Sequence, residues 1–265
     1  MSARSRPCTL SVCMICRDEA DRIQTALQSV AGWADEVVVF DSGSTDGTVD
    51  VARRYTDRVF VTDWPGFGVQ RQRCLEAAKG DWVLMLDADE WLTPALRDEI
   101  DAWLTSSPGN VAGQMRWRLW LFGRPLRFAG RFDAPQTRLY PRRSVSFPAL
   151  AVHETPQLST QGFHRLRGRI EHASFRDYHQ LAAKHLRYAC LLAEGKRQAG
   201  KRASMPVAVL RAAWEFLHQY LLRGLLLEGN RGLLLASVLA QYAFHKYAAL
   251  YVSALTATQP PQRHE

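Results

Sequence analysis

Apolar runs and periodic helical segments alternate through the first third of the chain. "TLSVCMI" (9–15), "EVVVF" (36–40), "RVFVT" (58–62) and "WVLML" (82–86) are short, nearly continuous apolar runs of strand length. Between them, Asp18 to Ala31 places Ile23, Leu27 and Val30 on one helical face, and Thr45 to Tyr55 and Val69 to Lys79 give two more helices. Strands without polar alternation, joined by helices, predict a parallel sheet covered on both faces. The pattern changes after Pro94. "QMRWRLWLF" (114–122) alternates as an antiparallel strand does, and "TRLYP" and "SVSFP" are short strand candidates. From Tyr178 onward the chain reads as helical, ending in a leucine-rich stretch to Leu255 and a polar tail, "TQPPQRHE".

This order of elements sets where chemistry belongs. Ligands of open parallel sheets bind beyond the carboxyl ends of the strands. Three polar clusters fall there: Arg17-Asp18-Glu19, "DSGSTDGT" (41–48) and "DADE" (87–90). Asp87 and Asp89 are two residues apart, so at a strand end their carboxylates lie on one side. Paired hard oxygens of this kind suit Mg²⁺ or Mn²⁺ bridging to a diphosphate, and an arriving cation would relieve their mutual repulsion. A plainer reading is that the acids open the next helix, with Pro94 in its first turn. "DSGSTDGT" supplies two glycines and several capping oxygens but no Walker lysine, and no G-x-G-x-x-G follows the first strand. Asp41, at a strand end, can accept a hydrogen bond from a base N–H.

Composition narrows the class. The chain has 265 residues, 47% of them hydrophobic and 23% charged, which predicts a globular α/β domain with an appendage. Lysine and arginine outnumber acids 34 to 26, a net charge of +8 that favours anionic partners. Eight arginines and one acid, Asp133, lie between Arg116 and Arg143, interleaved with Trp117, Trp120, Phe122, Phe128 and Phe132. Guanidinium forks match phosphates, and aromatic rings match sugar faces. No nucleic-acid-binding motif accompanies them. The five cysteines lack a disulfide framework, pointing to a reducing cytosol, and Cys13 and Cys16 on one strand would face opposite ways. "MSARSRPCTLS" has no long apolar stretch and is not expected to be a signal peptide. The uncharged run from Leu233 to Phe244 is too short to span a bilayer. Either it packs against protein or it lies in a membrane interface.

The ordered set "CRDEADRI", "DSGSTDGT" and "QRQRCLEAAKGDWVLMLDADE" resembles the family 2 glycosyltransferases of the GT-A fold. Within that family it looks most like the lipopolysaccharide inner-core glucosyltransferases. The likeness runs from about Thr9 to His172. It implies residues 1–176 as a nucleotide-sugar-binding catalytic domain and 177–265 as a helical region. It also implies inverting transfer of a hexose, glucose above all, from a UDP-sugar to a lipopolysaccharide-core heptose or similar anionic glycolipid. Glu19 then corresponds to a nucleoside contact, Asp41 to the acid that reads the base, and Arg71 to the arginine near the donor phosphates. Asp87 and Asp89 correspond to the D-x-D pair, with Asp89 the metal ligand, and His172 in "RIEHASF" to the histidine completing that site. Glu154 in "VHE" corresponds to the catalytic base, although relatives have Glu-Asp where this chain has His153-Glu154. Asp18 likewise stands where asparagine is commoner. The implied location is the cytoplasm, with peripheral contact to the inner membrane left open. Two rivals remain: a nucleotidyltransferase of related fold, disfavoured by the missing glycine-rich phosphate loop, and a non-catalytic basic membrane-binding module.

Overall fold

The computed structural model describes residues 6–128, 134–149 and 156–256. Its first elements follow the apolar pattern: β1 (Leu10–Cys16), α1 (Ile23–Val30), β2 (Glu36–Asp41), α2 (Thr48–Arg53), β3 (Val59–Val61), α3 (Phe67–Ala77) and β4 (Trp82–Met85). Strands β3, β2, β1 and β4 lie side by side and parallel. Every residue of β1 is buried, because both faces are covered. Leu10, Val12, Met14 and Cys16 join Ile23, Leu27 and Val30 of α1 in one cluster. Cys13 and Ile15 join Cys74 and Leu75 of α3 in the other. Cys13 and Cys16 therefore do face opposite ways, and both are free thiols.

The sheet continues with antiparallel neighbours. After β5 (Glu90–Trp91) and α4 (Pro94–Thr105) come β6 (Val111–Leu121), β7 (Arg124–Pro125), β8 (Pro135–Pro141), β9 (Val145–Ser146), β10 (Gln157–Leu158) and β11 (Gly162–Phe175). Among the described residues the order is β3-β2-β1-β4-β8-β6-β11-β5, with β7 on β6 and a separate β9–β10 pair. Helices α5 (Tyr178–Gln198), α6 (Met205–Leu217) and α7 (Gly229–Thr256) follow. Asp177 caps α5 by accepting from the Gln180 N–H at 2.7 Å, and the Gln180 side chain accepts from the Arg176 N–H at 2.8 Å.

Two compact units result. One holds the chain up to Arg118 together with Ala134–Ala173. The other holds the segment beginning at Leu119 and everything from Ser174 onward. The second has its own core, in which Leu119, Leu126, Phe175, Leu181, Leu225 and Leu239 meet.

Several expected boundaries shift: α2 is Thr48–Arg53 rather than 45–55, and α3 is Phe67–Ala77 rather than 69–79. The first helix begins at Ile23 rather than Asp18. Asp18 has a left-handed φ of 52°, its carboxylate accepts from the Thr45 N–H at 2.8 Å, and its own N–H donates to Ser44 Oγ at 2.8 Å. Residues before Ile23 are thus spent tying two loops together. The "DADE" cluster does not open a helix either. Thr93 is the cap of α4, accepting from the Leu96 N–H at 3.2 Å with Pro94 in the first turn, which leaves the acids to a turn and to β5.

Candidate active site

The site is assembled where β4 ends. Asp87, Ala88 and Asp89 turn the chain into β5, two residues long and antiparallel to β11, with His172 directly opposite Glu90. The Glu90 N–H donates to the Asp87 carbonyl at 3.0 Å, and the Ala173 N–H donates to the Asp89 carbonyl at 2.9 Å. Backbone pairing therefore fixes the acids against β11. It brings His172 Nε2 within 3.4 Å of Asp89 Oδ2.

The three acids of the cluster have three different environments. Glu90 is fully buried. Its side chain accepts from the Asp87 N–H at 3.0 Å, from Trp117 Nε1 at 2.6 Å and from Arg138 Nη2 at 2.9 Å. Burial nonetheless pushes its pKa up, opposed by Arg138 and reinforced by the charge of Asp87. Asp87 accepts from Arg138 Nη2 at 2.9 Å and from Arg71 Nη2 at 3.2 Å. Burial works against its charge too, but Arg138 and Arg71 outweigh it and hold the carboxyl well below the usual carboxylate range. Arg138 is itself buried. Burial works against its charge, but Asp87 and Glu90 more than offset it and raise its pKa, while its guanidinium lies 5.5 Å from the Trp117 ring centre.

Asp89 is half-buried. Besides His172 it has Arg22 Nη1 at 3.7 Å. Burial lowers the pKa of His172, but hydrogen bonding to Asp89 and the surrounding carboxylates raise it further, so the net direction is upward. Arg22 continues the chain of contacts to Glu19, donating through Nε at 2.7 Å, and its Nη1 donates to the Ala173 carbonyl at 3.1 Å.

Asp89 and His172 fit a divalent ion. Their facing oxygen and nitrogen are spaced as two neighbouring ligands of one octahedral cation can be; the carboxylate suits Mg²⁺ or Mn²⁺, and the imidazole favours Mn²⁺, the transition-metal ion of the two. No group of three or more His, Cys, Asp and Glu side chains among the described residues is placed to hold an ion alone. An ion held by two protein groups would complete its shell with phosphate oxygens and water.

Asp41 sits at the end of β2 and is spent on its own loop. Oδ1 accepts from the N–H groups of Gly43 at 3.0 Å and Ser44 at 2.8 Å. Oδ2 accepts from the Ser44 hydroxyl and, at 3.5 Å, from Cys16 Sγ. Burial, then the charge of Asp41, pushes that thiol well up, keeping it a neutral donor. Gly43 adopts a φ of 78°, which lets two successive N–H groups converge on one oxygen. The structure thus brings Asp87, Asp89, Arg71 and His172 together and links Glu19 to them through Arg22. Glu154 lies outside the described residues.

The arginine-rich segment is only partly an open basic surface. Arg138 is consumed by the acids, Arg142 Nε donates to the Gly80 carbonyl at 2.8 Å, and Arg118 pairs with Glu171 at 3.2 Å. Arg138, Glu90 and Trp117 are site residues to which the sequence assigned no such role. The available signal was "TRLYP", a strand in which an arginine stands next to two buried positions.

The glycosyl transferase family 2 model matches residues 11–133. An uncharacterized glycosyltransferase of Rickettsia prowazekii (strain Madrid E) is 30% identical over 254 residues, spanning 91% of this chain and 86% of its own. The chain belongs to glycosyltransferase family 2. Its sheet, with helices on both faces and a helical C-terminal region, is the GT-A fold of that family. Another relative of this family 2 glycosyltransferase is the lipopolysaccharide core biosynthesis glycosyltransferase LpsC of Rhizobium meliloti (strain 1021), 28% identical over 248 residues and spanning 91% of this chain and 92% of its own. Among solved structures, S. aureus TarS 1-349 in complex with UDP-GlcNAc aligns over 93% of this chain and 85% of its own, at 16% identity and a TM-score of 0.49.

Proposed function

We propose that this family 2 glycosyltransferase moves a hexose, with glucose the leading candidate, from a UDP-sugar to a lipopolysaccharide-core heptose or similar anionic glycolipid, inverting the anomeric centre. The observation that carries the reading is the Asp89–His172 pair, 3.4 Å apart, beside an Asp87 held charged by Arg71 and Arg138. In this reading Asp89 and His172 hold Mg²⁺ or Mn²⁺, which supplies positive charge to the departing diphosphate. Arg71 adds a second positive charge to the phosphates, and Glu19 contacts the nucleoside. Asp41 accepts the base N–H where the Ser44 hydroxyl now donates. Glu154 takes the acceptor hydroxyl proton as that oxygen bonds to the anomeric carbon and the bond to the diphosphate breaks. The likeness to LpsC supports the acceptor class. Work on the cytoplasmic face of a membrane, as a peripheral protein, fits such an acceptor. No helix among the described residues is long and apolar enough to cross a membrane.

The test is transfer from UDP-glucose to a heptose-bearing core glycolipid, with the product's anomeric configuration read by NMR. The expected product is inverted. Glu154→Gln is expected to slow transfer by about 10²–10⁴-fold, the range of a lost general base, while leaving donor affinity unchanged. A retained configuration, or full activity in Glu154→Gln, would overturn this assignment.

A further inference from the structure

The second unit carries an apolar surface that donor binding does not use. It is not the long uncharged run of the sequence, because Leu235, Ala236, Val238 and Leu239 are buried in that unit's core. It lies on α6, where Ala208 alone is buried. Leu210, Trp214 and Leu217 recur at steps of four and three, the spacing of a single helical face, and Leu221 follows in the π-helical turn His218–Leu222. They are 69%, 55%, 49% and 53% exposed. The turns that follow continue the surface with Leu222 and Leu227, each 70% exposed.

The charges around this face are mostly positive. Lys201, Arg202, Arg211 and Arg223 are all exposed. Between Lys201 and Leu227 there is one acid, Glu215, whose carboxylate accepts from Gln219 Nε2 at 3.0 Å. Trp214 stacks on His218 with ring centres 5.9 Å apart. Beside the stripe, Val209, Phe216 and Leu217 of α6 and Ala240 and Phe244 of α7 line an open apolar cleft of about 550 Å³. Large apolar side chains, a tryptophan and a fringe of cations without free acids match an interface rich in hydrocarbon and anionic headgroups.

We propose that the outer face of α6 and the turns through Leu227 dock on a bilayer bearing anionic lipid, with α6 lying in the interface plane and its cations among the headgroups. The inference deepens the glycolipid-acceptor reading, since docking would hold the enzyme where its acceptor is. It stands on residues remote in sequence from the donor site, so the two can fail separately.

The experiment is sedimentation of the full chain with vesicles of phosphatidylethanolamine and phosphatidylglycerol, or of phosphatidylcholine alone. The wild type is expected to partition onto the anionic vesicles by about tenfold or more over the neutral ones, and less so at high salt. Leu210→Ser combined with Leu217→Ser is expected to leave the protein in the supernatant with UDP-sugar affinity intact. Because both positions are exposed, the fold should tolerate the change. Trp214→Phe should still bind but lose the quenching that brominated lipid produces in the wild type. Wild type that stays in the supernatant with both vesicles, or a double variant that binds as well as wild type, overturns the proposal. So does a dimer that the double variant dissociates without any vesicle binding, which would assign the face to a second copy of the chain. Loss of UDP-sugar binding in the wild type would count against the donor reading alone.

Discussion

Arg138 is the residue on which the acid cluster depends. One of its nitrogens, Nη2, serves both Asp87 and Glu90 at 2.9 Å. Removing it leaves the buried Glu90 carboxylate without its cation and Asp87 with Arg71 alone, and breaking a buried pair costs about 3–5 kcal/mol. Arg138→Met should therefore lower the urea midpoint by that order, and adding Glu90→Gln should recover part of the loss by removing one stranded charge. An unchanged midpoint in Arg138→Met would show that the network does not support the fold. Asp81 makes a milder contribution. It joins the starts of β1 and β4, accepting from the Thr9 N–H at 2.9 Å and the Thr9 hydroxyl at 2.8 Å. The Thr9 N–H, then its hydroxyl, lowers the Asp81 pKa. Its stabilisation is then fully present above the ordinary carboxylate pKa of about 3.9 and is lost as pH falls through the lower folded value. Thermal melts of wild type and Asp81→Ala should differ at neutral pH and converge in acid. A gap that stays constant with pH would mean the charge of Asp81 is irrelevant.

At the scale of elements, the parallel core and the antiparallel strands β6, β8 and β9 were legible, and β5 and β11 were not. Strands β1, β2 and β4 were visible because burial on both faces leaves a continuous apolar signature, as β1 demonstrates residue by residue; β3 is apolar but largely exposed. β5 was invisible because two residues cannot display a period. Its register against β11 comes from a partner 82 positions away, counting from Glu90 to His172. The same reason hid Arg138: a charge reads as solvent-facing until its distant carboxylates are known. Asp89 and His172 were anticipated from a family resemblance, and only the β5–β11 pairing brings them into reach of each other. In the second unit the leucine-rich sequence was read as helical with its apolar run broken by charges, and the chain interrupts the helix at Gly224 and Gly229 with a short 3-10 turn ahead of α7. Gly232 marks how tightly that turn packs on the helix, since a Cβ there would overlap the Leu225 carbonyl oxygen. Gly232→Ala should destabilise by about 1–3 kcal/mol, as overpacking does. A melting temperature equal to wild type would mean the turn relaxes freely.

At the scale of the whole molecule, each unit has its own core and its own chemistry. The first gathers acids, arginines and a histidine at the carboxyl end of a parallel sheet, the place where open α/β sheets bind ligands. The second presents the apolar, cation-fringed face of α6. The donor site and the membrane-docking face proposed here therefore rest on different residues, which can be varied independently.

The central claim is that a UDP-sugar and a divalent ion meet at Asp89. Calorimetric titration tests it most directly, with UDP-glucose, UDP-galactose, GDP-mannose and ATP added to wild type and Asp89→Ala, in Mn²⁺ and in EDTA. One UDP-sugar is expected to bind wild type in Mn²⁺. EDTA or Asp89→Ala is expected to weaken binding by about 10–100-fold or more, at least the loss seen when groups supporting a metal site are removed. Equal affinity in EDTA and in the variant, or no sugar nucleotide bound by folded wild type in Mn²⁺, would contradict it.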